Sequence, residues 1–150
     1  MPVKIIQLPS NSDTPIEDHV FKGIANLLPQ LSQSAPPLTK DRLQSVLASP
    51  LTVVLVAIDD HAEIVGMLTL ACFDAVTGRR AHIEDVVVDD KCRGQGAGKL
   101  LLLEAIQIAQ HKLHAATIDL TSRPEREAAN RLYQKVGFVQ RQTNVYRYAE

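Results

Sequence analysis

The sequence predicts an α+β domain on a mixed, mostly antiparallel sheet, with elements in the order βααβββαβαβ. Three observations predict it. Apolar runs at Leu51–Ile58, Ile64–Phe73 and Ala81–Val88 follow one another across short turns, as antiparallel neighbours do. Helical periodicity occupies the chain before them. After them, a strand runs through a basic, glycine-studded turn straight into a helix, and a further strand follows. That is a β–α–β half joined to an antiparallel half.

The elements can be justified in order. Val3 to Leu8 alternates enough to be a first strand. The opening MPVKIIQLPS is too short and too soon polar for a signal peptide, and no stretch approaches the roughly 20 apolar residues that span a bilayer. A cytoplasmic protein is expected. Pro15 to Leu31 carries Ile16, Val20, Phe21, Ile24, Leu27, Leu28 and Leu31 at helical spacing. Pro36-Pro37 breaks the chain. A second helix runs from Thr39 or Lys40 through Ala48, with Thr39 as N-cap. Leu51–Ile58 turns through Asp59–Ala62 into Ile64–Phe73. A second turn, Asp74–Arg80, leads to Ala81–Val88. The next helix runs from Gly96 or Gly98 to Leu113, and Ala116–Leu120 is a strand. Arg126–Val136 is a helix closed by Gly137. Phe138–Tyr148 is a final strand or hairpin arm.

A chain of 150 residues with 45% apolar and 22% charged residues suits a single domain, residues 1–150, with a sizeable core. A net charge of −1 supplies no global field toward nucleic acid or membrane. Cys72 and Cys92 form no metal or redox spacing. Cys72 reads as core. Cys92 lies beside Arg93 near a helix start, a setting that lowers a thiol pKa, but it has no evident partner base.

The chemistry concentrates between Ile83 and Leu103, IEDVVVDDKCRGQGAGKLLLL. The N–H groups of a helix start have no partner within the helix, and the dipole adds partial positive charge there. Gly94, Gly96 and Gly98 let the backbone curl and a ligand approach. Lys91, Arg93 and Lys99 add full charges. The expected ligand is a cofactor with a pyrophosphate. A P-loop fails at both ends, because Lys99 is followed by Leu100 and the position five before Gly98 is Arg93. A dinucleotide fingerprint fails at Lys99 or at Leu101, although Asp119 sits about twenty residues on and leaves a degenerate version open.

A third pattern fits. Arg93-Gly94-Gln95-Gly96-Ala97-Gly98 matches R-x-x-G-x-G, and Ala129 to Phe138 carries A-x-x-L-Y-x-x-x-G-F. The pair, about one helix and one strand apart, resembles the GNAT family of N-acetyltransferases over roughly Leu51 to Tyr148. That resemblance implies a GNAT fold in which strand four, Ala81–Val88, splays from strand five, often with a bulge. It implies acetyl-CoA as co-substrate, with its pyrophosphate on Arg93 through Gly98 and Lys99, and no metal.

Acetyl transfer to an amine sets three tasks: the amine must lose a proton, the carbonyl oxygen needs donors, and the thiolate needs a proton. The resemblance assigns the backbone of Val86, Val87 and Val88 to acetyl and pantetheine. It assigns Tyr133 as general acid, which its ordinary pKa near 10 suits. Side chains alternate along a strand, so His82 and Glu84 share one face and Ile83 and Asp85 the other. Glu84 is the first choice as base, through water, and His82 the second. Asp85 could instead anchor a turn behind the sheet. The string I-E-D-V-V-V is similar to that of glucosamine-6-phosphate N-acetyltransferases, among others. The family's asparagine is replaced here by Arg126, so either Asn130 takes over its CoA contact or Arg126 reaches a phosphate. Ser122 caps a turn or meets substrate.

The acceptor stays open: a small-molecule or peptide amine, with the first fifty residues lining its groove. The resemblance also implies a possible homodimer through Phe138–Tyr148. Two alternatives stand beside the transferase, a non-catalytic CoA-binding sensor and an acyltransferase using another acyl-CoA.

Overall fold

The computed structural model of the chain describes residues 2–10 and 14–149. Its elements are β1 (Lys4–Gln7), α1 (Asp18–Leu31), α2 (Lys40–Ala48), β2 (Thr52–Ile58), β3 (Ile64–Ala75), β4 (Gly78–Val88), α3 (Ala97–Gln107), β5 (Thr117–Leu120) and α4 (Glu127–Val136). A short 3-10 turn, Asp90–Cys92, precedes α3, and a π-helical turn, Ile108–Lys112, continues it. The strands form one five-stranded sheet in sequence order. β1 to β4 pair antiparallel, and β5 joins β4 in parallel. The fold is the mixed α+β architecture expected.

β2 explains its own sequence. Val53, Leu55 and Ala57 face the core under α3, while Val54 and Val56 face the core under α1 and α2. A strand buried on both faces reads as a continuous apolar run. The helix caps follow elementary chemistry. Thr39 accepts from the N–H of Arg42 at 3.1 Å, as its N-cap position requires. Gly137 ends α4 at φ 122°, in the region that favours glycine. Asp59 holds the β2–β3 turn by accepting from His61 and Glu63, each at 2.9 Å.

Several boundaries move. The first helix starts at Asp18 rather than Pro15, because Glu17 is extended at ψ 143° and caps it. The turn expected over Asp74–Arg80 shrinks, since β3 reaches Ala75 and β4 begins at Gly78. Arg79 straps this hairpin, bonding Asp74 at 2.7 Å and the Leu113 carbonyl at 3.1 Å. The largest correction concerns the C-terminus. Residues 138–148 form no strand, and 139–149 are exposed throughout. A strand exists only with a neighbour, and among the described residues none pairs with this segment.

Candidate active site

β4 carries the main irregularity. Its register to β3 runs Thr69↔Glu84 and then Met67↔Val87, so Asp85 and Val86 together oppose Leu68. That is a β-bulge, and Asp85 takes φ +55° to make it. The extra residue switches the faces of the strand. Ala81 and Ile83 lie in the core under α3, and so would Asp85 and Val87 in a regular strand. Instead Val87 packs under α1 and α2, and Val86 and Val88 turn toward α3. The Thr69 hydroxyl donates to Asp85 Oδ2 at 3.2 Å. Asp85 therefore does not share a face with Ile83, because the bulge intervenes.

β4 and β5 pair only from Arg80↔Thr117 to Ile83↔Leu120. Beyond Ile83, β4 continues to Val88, and among the described residues no strand lies on that flank. The expected splay is present. The N–H of Asp89 donates to Val65 on β3 at 2.8 Å. Backbone polar groups alternate direction along a strand, so Val88 turns its N–H and C=O to the open flank.

The glycine turn follows directly. The N–H of Asp90 donates to the side chain of Gln30, at the end of α1, at 2.9 Å. Arg93 pairs with Asp90 at 2.9 Å on the surface. Gly94 and Gly96 adopt φ +82° and +86°, and a Cβ built on either meets nothing within 4 Å. Both positions demand the left-handed region, and both border open space. Gly96 is the N-cap of α3, without a side-chain cap and with no acid in the first turn. Among the described residues the N-cap of α3 thus offers no side-chain acceptor to the leading N–H groups, and this is the setting an anion fits. Gly98 has another role. A Cβ there would stand 2.9 Å from Leu132 Cδ2, so its missing side chain lets α4 close on α3. Ala97 is buried beside it, and Lys99 is exposed.

The chemistry-bearing side chains converge on a cleft of about 1200 Å³ between β5, α4 and the residues after it. His82, Ser122, Asn130 and Tyr133 line it. Glu84 does not line the cleft, but its Oε1 stands 3.2 Å from His82 Nε2. The shared face of His82 and Glu84 is as expected. Tyr133 is 7% exposed, its ring meeting Phe138 edge-on at 6.3 Å. Burial pushes its phenol pKa up, and the nearby Arg126 guanidinium opposes this. Such a phenol stays protonated and can donate. The Asn130 amide donates to the Arg123 carbonyl at 3.0 Å, tying the loop before α4 to the helix. The Ser122 hydroxyl is buried without a hydrogen-bond partner among the described residues.

Two readings need correction or addition. The Cys92 thiol is pushed up, not down, first by burial and then by the carboxylates of Asp89, Asp59 and Glu63. Asp89 stands three residues before Cys92 in the sequence, while Asp59 and Glu63 come from the distant β2–β3 turn. The roles of Thr69 and Gln30 and the place of the bulge, at Asp85, were also not read, because each depends on a partner distant in sequence. Among the described residues, no helix is long and apolar enough to cross a membrane, and no group of three or more His, Cys, Asp or Glu could hold a metal.

A glycine turn at a helix start beside a bulged, splayed strand is an arrangement that suits an anionic ligand lying along the open strand. Residues 23–138 match the Acetyltransferase (GNAT) family, and the chain belongs to it. Glucosamine 6-phosphate N-acetyltransferase 1 of Oryza sativa subsp. japonica is 31% identical over 134 residues, covering 81% of this chain and 76% of the rice protein. The crystal structure of glucosamine-6-phosphate N-acetyltransferase from Arabidopsis thaliana superposes with a TM-score of 0.78 at 21% identity, over 100% of both chains. An aminoglycoside N-acetyltransferase in complex with CoA superposes with a TM-score of 0.78 at 16% identity, over 99% of this chain and 95% of that one. The protein is accordingly an acetyltransferase.

Proposed function

We propose that the chain moves an acetyl group from acetyl-CoA to the primary amine of a small molecule in a single ternary complex. The observation that carries this reading is the open flank of β4 beyond Ile83, which lies between the glycine cradle and the cleft holding His82 and Tyr133. Acetyl-CoA supplies the activated thioester. The chain's own residues would do the rest. Arg93 and Lys99 bring charge to the turn, and the backbone of Gly94 through Gly98 with the free start of α3 would hold the pyrophosphate. The Val88 N–H on the open flank, with Val87 and the bulged Val86 before it, would be a fixed donor for the carbonyl oxygen as charge develops there. Glu84 would take the amine proton through water or through His82. Tyr133, held neutral by burial, would protonate the departing thiolate. Asn130 and Ser122 add polar side chains to the cleft lining.

An amino sugar phosphate, the acceptor named for the rice relative, is the first acceptor to try; Arg80 on the cleft wall offers it a cation. We also read the chain as a homodimer, on the apolar residues its C-terminal segment leaves exposed.

The test is a pair of substitutions, Glu84→Gln and Tyr133→Phe. Each should lower turnover on the order of 100-fold, the usual size of an acid or base contribution. Binding of acetyl-CoA by calorimetry should stay within about twofold of the parent, since neither side chain belongs to the cradle. Unchanged turnover in both variants would overturn the assignment. Tight acetyl-CoA binding with no transfer to any amine by the parent would favour the sensor reading.

A further inference from the structure

The bulge on β4 decides which backbone groups face the open flank, so whatever fixes its place bears on the reaction. The register runs Leu70↔Ile83 and Thr69↔Glu84 on one side of it, and Met67↔Val87 and Gly66↔Val88 on the other. A strand slipped by one residue turns every later side chain to the opposite face. In a regular register Val87 would move under α3, and the Val88 N–H would turn to β3. Packing opposes that slip, because Val87 sits with Met67 under α1 and α2 while Val86 and Val88 pack under α3. Asp85 itself is exposed, so no packing holds its φ of +55°, a conformation that Asp tolerates without requiring.

We infer that Thr69 is a positioning residue for acetyl transfer, its hydroxyl pinning the bulge at Asp85 and so aiming the Val88 N–H at the open flank. The hydroxyl donates to Asp85 Oδ2 at 3.2 Å, and among the described residues Thr69 is the one side-chain partner Asp85 has. The register places Thr69 for this task. It stands across from Glu84, in the last regular pair before the extra residue, so its hydroxyl reaches the residue at which the strand departs. A threonine hydroxyl carries one proton to give. Given to Asp85, that proton is not spent on Glu84 directly opposite, and Glu84 Oε1 stays with His82 Nε2 at 3.2 Å. One contact thus serves two groups: it fixes the donor for the carbonyl oxygen and leaves the proposed base beside its imidazole. At the far end of the segment the Asp89 N–H donates to Val65 at 2.8 Å. The stretch from Asp85 to Asp89 is therefore held from β3 at both ends and open on its other flank. The inference rests on the transfer reading above, and the experiment separates the two.

The test is Thr69→Val, which keeps the shape and removes the proton, beside Thr69→Ser, which keeps the hydroxyl. The substrates are acetyl-CoA and glucosamine 6-phosphate, or the amine that a screen with the parent selects. Thr69→Val should lower kcat about tenfold, less than the loss of a whole carbonyl donor. KM for the acceptor, and acetyl-CoA affinity by calorimetry, should stay within about twofold of the parent, as befits a contact used in the transition state. Thr69→Ser should keep kcat within about twofold of the parent, since its hydroxyl still donates. Asp85→Gly accepts the backbone angle and lacks the carboxylate, so Thr69→Val added to it should cost less than about twofold more. Amide hydrogen exchange at Asp89 needs no acceptor, and it should quicken at least about threefold in Thr69→Val and not in Thr69→Ser. Equal losses in the valine and serine variants would overturn the tether, and so would an undiminished loss from Thr69→Val on the Asp85→Gly background. Unchanged exchange at Asp89 in Thr69→Val would overturn it whatever the turnover. Quickened exchange in a chain whose parent transfers acetyl to no amine would instead overturn the transfer reading, and with it the positioning role, leaving a structural pin.

Discussion

The turn Arg93–Lys99 and the tail 139–149 are opposites. In the turn, local sequence dictates conformation. Gly94 and Gly96 take backbone angles other residues resist, and Gly98 leaves room for one named contact, Leu132. In the tail, local sequence states a preference that nothing within one copy satisfies, and the segment stays exposed. A site built on glycines carries its geometry in itself. A site walled by a strand takes that wall from whatever pairs with it.

Gly98→Leu breaks the first region hardest. The added side chain enters a space already closed by Leu132 and Val88, at 2.9 and 3.7 Å from the first carbon. Overpacking of this kind costs about 1–3 kcal/mol, and the upper end is expected where two helices must part. Urea unfolding should show the midpoint lowered equally at every protein concentration. Val145→Asp with Tyr146→Asp in the tail should behave differently: on the homodimer reading it should abolish any concentration dependence of the midpoint, which is the mark of a copy-to-copy interface. A Gly98→Leu variant as stable as the parent would mean that α3 and α4 do not close as tightly as the contact implies.

Gly96→Ala is the milder break. Nothing crowds the new methyl, so the cost is conformational, about 1 kcal/mol for an L-residue in the left-handed region. The sharper expectation is in binding, because a turn relaxed out of that region misaims the start of α3. Acetyl-CoA affinity by calorimetry should fall about tenfold, while the mass of the assembly does not change. An unchanged affinity would remove the turn from the binding site.

How much of this was legible follows the same division. The cradle could be read because glycine spacing reports backbone geometry, and β2 because burial on both faces leaves an unbroken apolar run. Thr39 and Gly137 were legible as caps for the same local reason. A bulge on this strand was implied by the resemblance, but its place was not legible, because Asp tolerates φ +55° without requiring it and only the register against β3 puts it at Asp85. The pairing of His82 with Glu84 followed from alternation alone, but Asp85 lay one step past the point where alternation fails. Phe138–Tyr148 was read as a strand from composition, and the composition is strand-like. What it lacks is a neighbour, and a sequence names neighbours only where they are local. The acceptor was illegible for a related reason: Arg80, His82 and the β5 residues of the cleft wall belong to no motif and meet the motif residues of α4 only in the fold.

The smallest effect concerns Tyr133, where the packed half of the comparison shows in a titration. Its phenol is held above the ordinary value of about 10, first by burial. In the unfolded chain this group ionises as pH passes about 10, while in the folded chain it keeps its proton. The unfolded state therefore binds fewer protons in that window, and stability falls as pH rises. The contribution is whole below the unfolded value and is lost as pH climbs through the folded one. Tyr133→Phe removes the ionising group from both states. The stability difference between parent and variant should be flat from neutral pH to about 9 and then shift toward the variant above 10. Urea midpoints for the two chains across that range measure it. A difference that stays flat past pH 10 would mean the phenol reaches solvent in the folded chain, and the acid assigned to the thiolate would have lost the dry setting that keeps it protonated.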